Sequence, residues 1–144
     1  RDSNKIDCNV LNNSNYVSTE NMLENFGGIK EAFNVPSGKC TAILKDDILL
    51  SNIRPYFKKL WFSKLDGGCS NDVIALRINN KLALSKYVFY ALSSNKFFDF
   101  YVANCKGTKM PRGNKDVLLN YDIPTKTLFE QQHIVDIRRN SYAC

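Results

Sequence analysis

Ten residues of this chain, 106–115, combine side chains and backbone freedom that suit contact with a polyanion. The segment reads Lys-Gly-Thr-Lys-Met-Pro-Arg-Gly-Asn-Lys and holds four cations, two glycines, one proline and no acid. Four neighbouring positive charges repel one another, and glycine and proline disfavour a regular element, so we expect an exposed loop. Nucleic acid is the first class of partner that this composition suggests.

A second window without acidic residues, 54–64, also carries four cations. Eight of the 20 lysines and arginines therefore lie in two short stretches, whereas the first 34 residues hold three cations and five acids. This asymmetry predicts a directed positive field rather than an evenly charged surface. The candidate DNA-binding residues from the two windows are Arg54, Lys58, Lys59, Lys64, Lys106, Thr108, Lys109, Arg112 and Lys115.

Side-chain chemistry separates two roles within the first loop. The planar guanidinium of Arg112 can bond the O6 and N7 atoms of a guanine together, so we expect Arg112 to contribute discrimination. An ammonium group is a point charge that suits phosphate, so Lys106, Lys109 and Lys115 are expected to position the nucleic acid. Charge alone favours a solvated loop over a DNA contact.

Three neighbouring features fit either a nucleic-acid contact or a structural role. Residues 52–55, Asn-Ile-Arg-Pro, could form a DNA-facing edge or shape a turn. Tyr56 and Trp61 could stack on a base, although aromatic residues in strands more often pack in a core. The polar run 70–72, Ser-Asn-Asp, could bond bases or close a turn onto the next strand.

The bulk composition is that of one globular domain. The 144 residues are 44% hydrophobic and 12% aromatic, enough to bury a core without a metal or a disulfide. Five cysteines without a C-x-x-C pair and a single histidine argue against a metal site and for buried thiols in a reducing cytoplasm. No apolar run reaches the roughly 18 residues of a membrane span. Arg1 in place of Met, and the end at Cys144 within a helical pattern, suggest a fragment or a processed chain.

Hydrophobic periodicity predicts an α+β fold with a twisted, sheet-rich core. Residues 1–15 are expected to be irregular, and strands are expected at 16–19, 39–53, 60–62 and 73–78. The period then changes to that of helices over 82–94 and 95–102, with short elements near 117–123. Thr127 is a plausible N-cap for a last helix, with Glu130 completing a capping box.

Five stretches, in this order, resemble the target recognition domain of type I restriction–modification specificity (S) subunits. They are Tyr16-Val-Ser-Thr-Glu-Asn-Met22, Asp47-Ile-Leu-Leu-Ser-Asn-Ile-Arg-Pro55, Gly67-Gly-Cys-Ser-Asn-Asp-Val73, Lys106-Gly-Thr-Lys-Met-Pro-Arg112, and Ile123-Pro with Glu130-Gln-Gln. Two positions depart from the family pattern. Asp46 stands where the family usually has glycine, and Thr125-Lys-Thr replaces a proline-bounded entry to the last helix.

The resemblance implies a non-catalytic domain that reads one half of a bipartite duplex target, mainly from the major groove. It implies a recognition domain over 1–127 and the start of a spacer helix over 128–144, where Glu130, Gln131 and Val135 would contact a partner. The implied partners are methyltransferase (M) and restriction (R) subunits in a prokaryotic cytoplasm. The chain itself would hold no cofactor, since S-adenosylmethionine, ATP and Mg²⁺ would belong to those subunits.

Two other classes of function compete with this interpretation. A nuclease or methyltransferase fragment would need a catalytic constellation, and the sequence has neither a Gly-Lys-Ser/Thr phosphate loop nor a glycine-rich strand-to-helix turn. A nonspecific RNA or single-strand binder would expose several aromatic residues on one sheet face. Here the aromatic residues fall mainly in predicted core elements.

Overall fold

The computed structural model describes residues 5–107 and 111–142, and for residue 115 and residues 139–142 it describes the backbone alone. These residues form strands and helices in one chain, so the α+β prediction is confirmed. The strands are β1 (Lys5–Asp7), β2 (Tyr16–Val17), β3 (Lys39–Ile43), β4 (Ile48–Ser51), β5 (Leu60–Phe62), β6 (Gly67–Cys69) and β7 (Val73–Leu76). The helices are α1 (Ser85–Leu92), α2 (Asn95–Ala103), α3 (Lys115–Leu118) and α4 (Leu128–Tyr142).

The strands form two sheets. The first has the order β1-β3-β6-β2, in which β2 runs parallel to β6 and the other pairs are antiparallel. The second has the order β5-β4-β7 and is antiparallel throughout. The central strand β4 pairs Leu50 with Leu60 on one side and with Ile74 on the other.

Strand β4 lies between two hydrophobic layers, which explains its continuous apolar run. Ile48 and Leu50 belong to a core cluster with Phe97, Phe98 and other residues of α1 and α2. Leu49 belongs instead to a cluster that includes Val17, Ile43 and Cys69 of the first sheet. Because successive side chains of a strand point to opposite faces, only a strand covered on both faces is apolar at every position.

The prediction of a single strand over 39–53 is wrong, because the chain turns between β3 and β4 and changes sheets. Asp46 adopts φ 76°, a left-handed conformation that favours glycine, which is the residue that the family pattern has there. The buried carboxylate of Asp47 accepts a hydrogen bond from the Leu44 backbone N–H at 2.8 Å and a bidentate pair from Arg77 at 2.9 and 3.0 Å. Asp47 therefore fixes the turn from within.

Two further segments differ from expectation. Part of the segment predicted to be irregular is ordered: β1 pairs with β3, and residues Cys8–Val10 form a 3₁₀ turn. The Gly-Gly-Cys segment is strand β6, which no propensity indicates. A side chain at position 68 would come within 2.7 Å of Cys40 Sγ and of Leu11 Cδ1, so close packing requires glycine there.

The predicted capping box of the last helix is confirmed. Thr127 Oγ1 accepts a hydrogen bond from the Glu130 backbone N–H at 3.1 Å, and Glu130 Oε1 accepts one from the Thr127 N–H at 3.0 Å. The hydrogen bonds that the Thr127 backbone N–H and hydroxyl donate to the charged carboxylate lower the pKa of Glu130. Helix α4 then packs against α1. None of the helices within the described ranges is long and apolar enough to cross a membrane.

The described cysteines are free thiols. Cys8, Cys40 and Cys69 are buried and Cys105 is half-buried, which confirms the expectation of buried thiols for the first three. Cys144 lies outside the described residues.

Candidate nucleic-acid interface

The two basic windows, about 50 residues apart in the sequence, meet in the fold. Arg112 forms antiparallel bridges with both Ile53 and Lys106. The Lys106 and Arg112 backbones exchange two hydrogen bonds, at 2.8 and 2.7 Å, and the Arg54 N–H donates to the Pro111 carbonyl at 2.7 Å. The base of the predicted loop is therefore held on the segment that follows β4.

Asn52 organises this junction from the interior. Its backbone N–H donates to the Asp72 carbonyl at 2.8 Å, and its own carbonyl accepts from the Gly113 N–H at 2.9 Å. Its side-chain Oδ1 lies 3.2 Å from the hydroxyl of Tyr101, a buried residue of α2. Of the two roles open to Asn52, the structure assigns the structural one, because its side chain faces the core.

Three cations stand exposed at the junction, and we refer to Arg54, Lys106 and Arg112 as the basic cluster. Residues directly opposed in an antiparallel bridge carry their side chains on the same face, so Lys106 and Arg112 project together. Arg54 lies beside them with φ 49°, a left-handed conformation at the entry to the 3₁₀ turn Pro55–Phe57.

The Arg112 side chain is paired with an acid that lies 40 residues earlier in the chain. Its Nη1 lies 2.9 Å from Asp72 Oδ1, and the two side chains are 54% and 39% exposed. The polar run 70–72 does close a turn onto β7, since the Val73 N–H donates to the Ser70 carbonyl at 3.1 Å. The sequence carries no local signal for the ion pair, because nothing in the chain indicates that these loops meet.

Lys58 and Lys59 flank the cluster, but their ammonium groups have protein partners. Lys58 Nζ lies 3.2 Å from Asn95 Oδ1. Lys59 Nζ donates to the Thr19 carbonyl at 2.7 Å and lies 5.7 Å from the centre of the Phe57 ring. Both are half-buried, so they add charge to this side of the molecule with less freedom to reach a phosphate.

The remaining predicted contacts are not brought into the cluster. Lys64 follows β5 at the end of the β4–β5 hairpin opposite to Arg54, because the pairing sets Phe62 against Ile48 and Leu60 against Leu50. Lys115 is the first residue of α3, with no described side chain. Thr108 and Lys109 lie outside the described residues, so their assignments stay predictions.

Two of the three residues that are predicted to contact a partner, Gln131 and Val135, are buried within the chain, and the partner contact itself stays a prediction. Gln131 and Val135 are each 2% exposed, because they pack within the chain against α1. The Gln131 side chain accepts a hydrogen bond from the Leu84 N–H at 2.7 Å and donates to the Lys126 carbonyl at 3.0 Å. Glu130 is exposed and serves the capping box.

The two aromatic residues that could have stacked on bases lie in different environments. Trp61 packs against the core cluster between the sheets, whereas Tyr56 is 47% exposed. Within residues 5–107 and 111–142, no three His, Cys, Asp or Glu side chains are grouped so that they could hold a metal ion.

Comparison with known proteins places these features in a family context. No protein-family profile matches the chain. The chain is 34% identical over 88 residues to the type I restriction enzyme EcoDI specificity subunit of Escherichia coli. That alignment covers 61% of this chain and 19% of the relative, so the chain matches a minor part of the relative's length.

Three solved structures share the fold. The HsdS subunit from Thermoanaerobacter tengcongensis matches with a TM-score of 0.65 and 23% identity, covering 88% of this chain and 34% of that one. A chain from a structure that addresses complex assembly and conformational transition of the type I R-M system matches with a TM-score of 0.74 and 24% identity. That match covers 98% of this chain and 39% of the other. The S subunit from M. genitalium matches with a TM-score of 0.58 and 15% identity, covering 93% of this chain and 37% of that one.

These likenesses confirm the resemblance of the five sequence stretches. In sequence, the chain is similar to a specificity subunit of a type I restriction enzyme over 88 residues, and in fold it is similar to the subunits of type I restriction–modification systems described above.

Proposed function

We propose that this chain recognises one half of a bipartite sequence in duplex DNA, as a target recognition domain of a type I specificity subunit. The observation that carries the proposal is the junction of the two basic windows. It brings the backbones of Arg54, Lys106 and Arg112 together, with all three residues exposed, in a chain similar to a specificity subunit. In this role the chain is non-catalytic and binds no cofactor of its own.

The mechanism divides affinity from discrimination. The lysines in and beside the basic cluster supply a sequence-independent attraction to phosphates, which falls as salt rises. Arg112 supplies discrimination, because a guanidinium can bond two acceptors of one guanine in the major groove. The backbone bonds at Asn52 and Arg54 support this role, since a donor that reads a base edge must be held in a defined position.

The alternative of a nonspecific single-strand or RNA binder is not favoured. Such binders stack successive bases on aromatic side chains that share a surface. The two most exposed aromatic residues described, Phe33 at 97% and Phe129 at 84%, lie on different elements, a loop before β3 and helix α4. The large aromatic side chains Phe97, Phe98 and Tyr101 are buried.

The partners in this proposal are the M and R subunits of a type I system in a prokaryotic cytoplasm. Those subunits would supply methylation with S-adenosylmethionine and cleavage with ATP and Mg²⁺. The division of the chain into a recognition domain over 1–127 and a spacer-helix start over 128–144 belongs to the same proposal. The helix start at Leu128 is compatible with that boundary.

Binding selection on a library of randomised DNA duplexes tests the proposal. The full-length protein that carries this chain is incubated with the library, and the bound fraction is sequenced. We expect enrichment of a short motif, and competition by duplexes but not by single strands of the same sequence. Equal retention of all sequences, or stronger competition by single strands or RNA, would contradict the proposal.

Co-purification tests the partners separately. The protein, expressed with a tag beside its neighbouring genes, should retain a methyltransferase subunit, and methylated adenines should map to the selected motif. If a motif is selected but no methyltransferase subunit co-purifies, the DNA-recognition proposal stands and the proposed assembly is contradicted.

A further inference from the structure

We infer that Asp72 is a positioning residue for base recognition, which holds the Arg112 guanidinium in the orientation that reads a base pair. This inference rests on the proposed function, and it goes beyond it by assigning a role to an acidic residue outside both basic windows. The motivating contact is the 2.9 Å distance between Arg112 Nη1 and Asp72 Oδ1.

Stability does not explain the pair. An ion pair between side chains that are 54% and 39% exposed contributes little, because water screens the attraction and ordering two side chains opposes it. An acid beside a DNA-binding surface also repels phosphates. Asp72 therefore weakens the sequence-independent attraction that the lysines provide, so neither stability nor general DNA affinity explains the ion pair.

The backbones of both residues are fixed to the same short segment. The Asp72 carbonyl accepts from the Asn52 N–H, and the Gly113 N–H donates to the Asn52 carbonyl. Arg112 is bridged in addition to Ile53 and Lys106. The separation of the two backbones is thus set by the fold, and it places the Asp72 carboxylate within bonding distance of the Arg112 guanidinium.

One contact with the carboxylate leaves most of the guanidinium available. Arginine has five N–H donors in a planar fork, and the pair with Asp72 engages Nη1. The Nη2 and Nε groups remain to donate to the O6 and N7 atoms of a guanine. A guanidinium held in advance loses less side-chain freedom on binding, which favours the matched base over the mismatched one.

The test compares base preference among five variants of the full-length protein by the duplex selection described above. Arg112→Ala should abolish a preference of roughly 5- to 100-fold at one base pair. Asp72→Asn should reduce the preference at that same base pair by about threefold to tenfold, because the neutral amide no longer restrains the guanidinium. The double variant should match Arg112→Ala alone.

Asp116→Asn is the control, since it also removes one negative charge, from an exposed residue four positions after Arg112. Both Asn variants should bind random DNA somewhat more tightly, but only Asp72→Asn should lose discrimination. Asp72→Glu, which keeps the carboxylate, should restore part of the preference.

Three outcomes would overturn the inference. The first is an unchanged base preference in the Asp72→Asn variant. The second is a changed preference at a different base pair, which would mean that Asp72 contacts DNA itself. The third is a loss of preference in the double variant that equals the sum of the two single losses. These outcomes differ from failure of the proposed function, in which the unmodified protein shows no preferred sequence at all.

Discussion

The hydroxyl group of Tyr101 occupies the space that a side chain at Gly113 would need. A Cβ at position 113 would collide with that hydroxyl and with the ring carbons beside it. Tyr101 cannot move away, because it is 1% exposed and its hydroxyl lies 3.1 Å from the Ser51 carbonyl. The position of the basic loop therefore depends on a contact between a glycine and the core.

Gly113→Ala should accordingly destabilise the protein and displace Arg112. We expect a loss of about 1–3 kcal/mol of unfolding free energy, the range seen when a packed core is overfilled. Sequence-specific DNA binding should weaken in parallel. Chemical denaturation and duplex binding measure the two effects.

Gly38→Ala is the control, because a Cβ there meets nothing within 4 Å, although φ is 98°. Its backbone strain should lower stability while leaving DNA binding intact. Equal DNA affinity in the Gly113→Ala variant would mean that the loop position does not matter for recognition.

Lys106→Ala and Lys64→Ala should differ, although both remove one exposed cation from a basic window. Lys106 lies in the basic cluster, so its loss should weaken binding to all duplexes and reduce the slope of log affinity against log salt by about one. Lys64 lies at the far end of the β4–β5 hairpin, where salt screens its charge over about 10 Å or less. Titrations at several salt concentrations compare the variants, and an equal change in slope would refute the proposed orientation.

Gln131→Leu should loosen α4 from α1. The substitution removes the acceptor for the Leu84 N–H at the start of α1, and leaving a buried donor without a partner costs about 1–3 kcal/mol. Gln132→Leu is the control, since Gln132 is exposed and contacts Asp136 within its own helix, so its effect should stay within about 0.5 kcal/mol. Thermal unfolding of both variants provides the comparison. Similar melting temperatures would contradict the interior role of Gln131.

Cys40 should resist alkylation in the folded protein. Burial raises the pKa of the Cys40 thiol to about 12, and a hydrogen bond with Cys8 adds to the effect. At pH 8 very little of the thiol is then present as the reactive thiolate. Cys105, which is half-buried, should react with iodoacetamide first, as peptide mass spectrometry would record.

The raised pKa of the Cys40 thiol also predicts that the folded protein loses stability at alkaline pH. In the unfolded chain the Cys40 thiol ionises near its ordinary pKa of 9.0, whereas in the folded chain it stays protonated to about 12. Its contribution is therefore complete below pH 9 and is lost as the pH rises towards 12. Equal alkylation rates for Cys40 and Cys105 at pH 8 would contradict the expected protection of Cys40, and an unfolding free energy that stays constant from about pH 8 to about pH 11 would contradict the expected alkaline loss.

Elements that depend on neighbours in the chain were predictable. The Thr127–Glu130 capping box forms within four residues, and the apolar spacing of α2 shows its buried face directly. The apolar run Leu60–Phe62 likewise indicates a strand. In these cases one local pattern contains the whole physical cause.

Strand β6 and the turn at Asp46 were not predictable in the same way. Glycine has little preference for strands. In β6, Cys40 and Leu11 occupy the space that a side chain at position 68 would need. The break between β3 and β4 depends on the buried Asp47 and on Arg77, which is 30 residues later. Gln131 and Val135 fit a helical seam, but no sequence pattern tells whether a seam faces the same chain or another.

By itself the sequence determined the α+β class, the family resemblance and the presence of two basic windows, because composition and short motifs are local properties. The tertiary structure alone decided that Arg54, Lys106 and Arg112 meet, that Lys64 stays apart and that Asp72 pairs with Arg112. The physical reason is that these contacts follow from backbone hydrogen bonds between distant segments, above all those of Asn52 with Asp72 and Gly113.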